Sequence, residues 1–143
     1  MNQPRETIYA ALFALVSAAT GFKTTSRRYK PWSEYSADQQ PVLSQVQRRE
    51  TPVQKTGVPA SWKLDVDLVV YVNSTGNPDT IASSLLNPIL DAVTSLFDPV
   101  GGVNPQTLGG LVHVARISGT IETDEGVLGD QAFAIIPVEI IVY

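Results

Sequence analysis

The chain has 143 residues, 43% of them hydrophobic and 17% charged, a balance that supports one globular domain with its own core and excludes general disorder. With 10 Lys and Arg against 14 Asp and Glu the formal charge is -4, so no overall basic field draws the chain to nucleic acid. Zero cysteines exclude disulfides, thiolate metal sites and cysteine nucleophiles, and say nothing about redox compartment.

The first element is a helix. Pro4 suits a first helical turn, Ile8, Leu12, Leu15, Val16 and Ala19 recur at helical spacing, and Gly21 is a good residue to end it. Tyr9 and Phe13 widen the apolar surface, so the helix is expected to be buried on more than one side, in its own core or against a neighbouring subunit. Arg5, the apolar run 8–16 and Ser17-Ala18-Ala19 also admit a signal-peptide reading, which Glu6 and Tyr9 argue against. The apolar run is too short to span a bilayer.

Phe22 to Lys30 reads as a strand with a basic cluster at Lys23, Arg27 and Arg28, and 31–41 as a proline-bounded loop. Val42 to Arg49 reads as a second strand ending in Arg48-Arg49, followed by a loop at 51–60. Ser61 to Asn73 has the clearest alternation: Trp62, Leu64, Val66, Leu68, Val70 and Val72 form a core face, with Lys63, Asp65, Asp67, Val69 and Tyr71 opposite. After a break at 74–78, Asn77 or Asp79 is expected to cap a helix carrying Ile81, Leu85, Leu86, Ile89, Leu90, Val93 and Phe97, kinked or split at Pro88. A loop at 98–106 leads to two alternating runs, Leu111–Thr123 and Gln131–Tyr143, read as a long hairpin with Asp124–Gly129 as its turn.

The expected order is α-β-β-β-α-β-β: an α+β fold of two layers, with helices packed on a mostly antiparallel sheet, in a single domain over 1–143. Such long strands leave long edges to cover, and the second face of the last strand (Phe133, Ile135, Ile141, Tyr143) is apolar as well. A homo-oligomer answers both needs. Charged substitutions at Phe133 or Ile141 are then expected to break the oligomer and leave the monomer folded.

Catalytic signatures are sparse. His113, the single histidine, is expected as a packed core residue, and no nucleophile elbow accompanies it. Asp65 and Asp67 share a strand face, a spacing that could serve paired-carboxylate chemistry, but a solvated face, or one salted by Arg27, Arg28 or Lys63, is the plainer reading. Asp124, Glu125 and Asp130 crowd the expected turn without the spacing of a calcium loop, and the glycine pairs at 101–102 and 109–110 lack the setting of a phosphate loop. Arg27, Arg28, Arg48 and Arg49 are expected to form one basic patch if their strands pair, suited to an acidic partner surface. No catalytic, cofactor or metal residues are assigned.

Several stretches, in order along the chain, are familiar. Thr7–Leu15, Ser26-Arg27-Arg28, Trp32-Ser33, Leu86–Ala92, Gln106–Val112 and Glu122–Gly126 resemble the tail-terminator (gpU-like) family of long-tailed phages and prophages. The resemblance implies a structural virion protein, typically a hexameric ring of α+β subunits, that caps the tail tube and stops its elongation. It implies partners in the tail tube protein and the head-tail connector, with DNA passing through the ring, and no enzyme activity, cofactor or membrane association. Assembly would be in the host cytoplasm, with the product in the virion tail or neck. Arg27, Arg28, Arg48, Arg49, Asp124, Glu125, Phe133, Ile141 and Tyr143 are the candidate interface residues. The alternatives are a head-tail connector or stopper protein of the neck and, through the signal-peptide reading, a secreted small ligand-binding protein.

Overall fold

The computed structural model describes residues 1–74, 79–99 and 101–143, the side chains of 126–128 excepted. Its centre is β3 (Ser61–Asn73), whose alternation sets the register of everything beside it. β2 (Val42–Val53) pairs antiparallel along one side, and β6 (Gln131–Val142) pairs antiparallel along the other, from Trp62 opposite Val142 to Asn73 opposite Gln131. β1 (Thr24–Ser26) adds a short parallel strand beside Val42–Ser44. The far side of β6 is shared by β4 (Val114–Ile117) and β5 (Glu122–Leu128), each antiparallel to it.

The inner face of this sheet carries Leu43, Leu64, Val66, Leu68, Val70, Val72, Ala115, Ala134, Ile136, Val138, Ile140 and Val142. α1 (Arg5–Ser17) contributes Ile8, Tyr9, Leu12 and Val16 to the same buried cluster, and α2 (Ala82–Ser95) contributes Leu86, Ile89 and Val93. The period of 2 in the strands and near 3.6 in the helices brings apolar rows together, and burial of such rows is the main favourable term in folding.

Half of the outer face is covered too. The segment from Lys30 to Pro41, with 3-10 turns at Trp32–Glu34 and Ala37–Gln39, crosses it. Tyr35 packs there with Val42, Val69 and Tyr71, and the half-buried Phe133 joins them. Tyr71 donates its hydroxyl to the carbonyl of Lys30 at 2.8 Å, and the side-chain amides of Gln40 and Gln131 exchange two hydrogen bonds of 3.0 and 2.8 Å.

The expected order α-β-β-β-α-β-β is overturned: three strands follow α2, and the six-stranded sheet is mixed because β1 runs parallel to β2. The extra strand has a local cause. Pro137 of β6 offers its carbonyl to the N–H of Ser118 at 3.1 Å but has no N–H to return toward that side. The ladder fails there, and residues 118–121 leave the strand. Gly119 makes this detour at φ 111°, where an added Cβ would lie 3.3 Å from Cγ of Pro137, so a glycine is required on both conformational and steric grounds.

Other expectations change as well. The turn expected at Asp124–Gly129 is strand through Leu128, and the reversal falls at Gly129-Asp130. The strand expected over Phe22–Lys30 shrinks to three residues. α2 is neither split nor capped as expected: it runs through Pro88, and its N-cap is Ile81, with no side-chain cap. The Ser84 carbonyl that loses a donor to Pro88 lies at an exposed position, where water can replace the bond. Asn77, the other expected cap, lies outside the described residues.

Candidate functional site

The uncovered half of the outer face is charged. A cleft of about 550 Å³ is lined by Arg48, Arg49, Lys63, Asp65, Asp67 and Glu139 among others, and extends to Glu122 of β5. Its basic side is made by a bulge. Gln47 pairs with Val66 and Arg49 with Asp65, leaving Arg48 as the extra residue. Simple alternation would send Arg48 and Arg49 to opposite faces. The bulge sends both to the outer one, a known use of such irregularities.

Opposite charges then alternate across four strands. Arg48 meets Asp67 at 3.3 Å and Arg49 meets Asp65 at 3.3 Å. Lys63 lies between Asp65 and Glu139, at 3.9 and 3.2 Å, and Arg116 of β4 holds Glu139 at 2.7 Å. Glu139 is the buried member, 7% exposed. Burial raises the pKa of its carboxyl, but hydrogen bonds and charge from Arg116 and Lys63 outweigh that and hold it below the ordinary glutamate value. Asp67 goes the other way. Burial raises it, Arg48 opposes, and the carboxylates of Asp65 and Glu122 add to the rise.

These opposite shifts give a pH test. A lowered carboxylate contributes stability that is complete above its unfolded-state value and lost as pH falls through its folded value. A raised one contributes stability that is complete at low pH and lost as pH rises through its folded value. Glu139→Gln is therefore expected to lower the melting temperature at pH 7 more than Asp67→Asn does, with the gap narrowing toward pH 3. Equal losses at pH 7 in thermal melts would show that the two carboxylates are not distinguished by their surroundings.

The basic residues do not form one patch. Their strands pair only over Thr24–Ser26 and Val42–Ser44, and Arg27 turns to the helix side, where it binds Glu6 of α1 and reaches Gln47 at 3.4 Å. Arg28 is exposed, its N–H bonded to the hydroxyl of Ser26 at 2.9 Å. Asp65 and Asp67 do share a face, each engaged by cations. His113 is exposed rather than packed in the core, because it precedes β4 and lies edge-on to Tyr143, with ring centroids 5.2 Å apart. Ile141 is half-buried and Tyr143 is 57% exposed.

Glu122 and Asp124 of β5 lie opposite Ile135 and Phe133 and so share the outer face, while Glu125 lies opposite Ala132 and takes the inner one. Among the described residues no group of His, Cys, Asp or Glu is placed to hold a metal ion. Of the cations expected beside Asp65 and Asp67, Lys63 does reach Asp65, whereas Arg116, Glu139 and Glu50 were missed by sequence reasoning. Glu50 ties β2 to α1 through Arg5 at 2.7 Å and the hydroxyl of Tyr9 at 2.9 Å. The available signal for Arg116 and Glu139 was that each stands as the lone charge in its strand.

Neither a protein-family model nor a curated protein matches the chain.

Both flanks of the sheet have unpaired backbone. β1 covers β2 only as far as Ser44, and among the described residues no strand pairs with the stretch from Gln45 to Val53 on that side. On the opposite flank the N–H of Ala115 in β4 is met by the carbonyl of Gln106 at 2.8 Å, whereas no backbone hydrogen bond of β5 reaches beyond β6 among the described residues. What this surface offers is a row of ion pairs and two strand edges, suited to holding another protein.

Proposed function

We propose that the chain is a structural subunit of a phage tail, forming the ring that terminates the tail tube and receives the head connector. The observation that carries this reading is the run of stretches from Thr7–Leu15 to Glu122–Gly126 that resembles the tail-terminator family in order. Two open strand edges support it, since native proteins rarely leave such edges uncovered and commonly cover them by association. The mechanism is geometric. A heterologous contact that closes on itself makes a ring of fixed size, and a ring whose tube-facing side imitates a tube layer ends growth when its other side does not.

Electron microscopy of particles made without the protein tests this directly. Overlong tails without heads are expected. Tails of normal length lacking heads would overturn termination in favour of a connector or stopper role, and intact virions would exclude both.

A further inference from the structure

Resting on the reading of the protein as a ring subunit, we infer that neighbouring copies join edge to edge, β2 of one copy pairing antiparallel with β5 of the next. The topology sets the direction. β2, β3, β6 and β5 alternate in sense, so the two open edges of one copy run opposite ways. Within one copy β5 is level with the part of β2 that β1 covers, so a second copy placed beside the first without being turned over, and shifted along the strands past β1, presents β5 antiparallel to the open stretch of β2. Its helix-bearing face lies on the same side, and the sheet continues from copy to copy. The lengths suit: β5 spans 7 residues, and the open stretch of β2 runs from Gln45 to Val53.

Charge selects this pairing over its rivals. On the outer face the β2 edge presents Arg48 and Arg49, whose side chains remain 42% and 66% exposed in spite of their aspartates. On the same face the β5 edge presents the exposed Glu122 and, half-buried, Asp124. β2 against β5 sets arginines beside carboxylates. A two-fold pairing of β2 with β2 would set the arginines against their own copies, and β5 with β5 would do the same with the carboxylates. Like charges opposed across a strand pair are destabilising. The contact is thus heterologous, the kind that builds rings.

The absence of cysteine makes the test clean. The full chain carrying both Thr51→Cys and Thr123→Cys, which leaves the edge charges in place, is treated with a short bis-maleimide, alongside each single variant, with light scattering and circular dichroism on the untreated proteins. The double variant is expected to give a ladder of cross-linked oligomers. Each single variant should give none, and a mixture of the two singles should give dimers only. Cross-linking of a single variant with itself would overturn the inference in favour of a two-fold contact. Oligomers that scatter light but do not cross-link in the double variant would overturn it while leaving the ring intact. A monomer, alone and with tube protein, would overturn the ring reading as well. In the charge arm, Arg49→Glu or Glu122→Lys alone should raise the concentration needed for assembly about tenfold or more. The two together should restore it, and failure of that rescue with both proteins folded counts against the pairing.

Discussion

Leu68→Ala is expected to lower the free energy of unfolding by about 3 kcal/mol or more, in the upper part of the range for buried leucines. Leu68 is fully buried in the middle of β3, opposite Gln45 of β2 and Ile136 of β6. The loss has two parts: the transfer energy of the deleted carbons and the cost of the space they leave. The second part is what places this site high in the range. Hydrogen-bonded strands on both sides fix the backbone, and α1 and α2 lie over the cluster, so little can move in to fill the gap. Against a typical total of roughly 5–15 kcal/mol, such a loss is a large fraction of the protein's stability. Urea denaturation measures it, with the midpoint expected to fall and the slope to stay constant. A loss below about 1 kcal/mol would mean that the inner face relaxes far more than its close packing implies.

The inner face was legible in the sequence because it depends on each strand separately. Ser61–Asn73 alternates without a fault, and the strand has those bounds. The failures occur where the decisive residue lies on a different strand. Leu111–Thr123 alternates as though it were one strand, and nothing within it shows that Pro137 will stand opposite Ser118 and withhold an N–H. His113 fails at the other end of β4: parity groups it with Ala115, but it precedes the strand and lies against Tyr143. Asp124 and Glu125 looked like turn residues because they precede two glycines, yet pairing with β6 keeps them extended.

The charged face was half legible for a related reason. Asp65 and Asp67 could be placed on the side opposite the core from β3 alone. Lys63 could be placed beside them in the same way, but their arginine partners could not, because the bulge at Arg48 reassigns which cations of β2 reach that side. Arg27 was expected in the same patch and instead holds Glu6 beside α1. A basic cluster in sequence thus divides between the two faces of a sheet, and the outer-face share lies at the open edge of β2. This division gives that edge its charge and separates it from the acidic β5 edge.

Gln131→Leu is expected to cost about 3 kcal/mol, although leucine is close to glutamine in size and more apolar. Gln131 is 2% exposed and Gln40 is 4% exposed, and each amide satisfies the other. The Gln131 amide nitrogen also donates to the carbonyls of Val72 and Ala132, at 3.1 and 3.0 Å, and its oxygen accepts from Asn73 at 3.2 Å. Removing it strands both ends of the buried Gln40 amide, and a stranded buried polar group costs about 1–3 kcal/mol. Replacing both glutamines by leucine removes the orphaned groups together, so the double variant should lose much less than the sum of the two single losses. A urea double-mutant cycle reads this coupling directly. The location of the pair adds a second readout. Gln40 ends the segment that crosses the outer face over Tyr71 and Phe133, so Gln131→Leu should also speed tryptic cleavage at Arg28, just before that segment, with Tyr71 still holding the Lys30 carbonyl. If the single losses add and cleavage is unchanged, the segment is held by its aromatic contacts alone, and the paired amides contribute no more than the volume they fill.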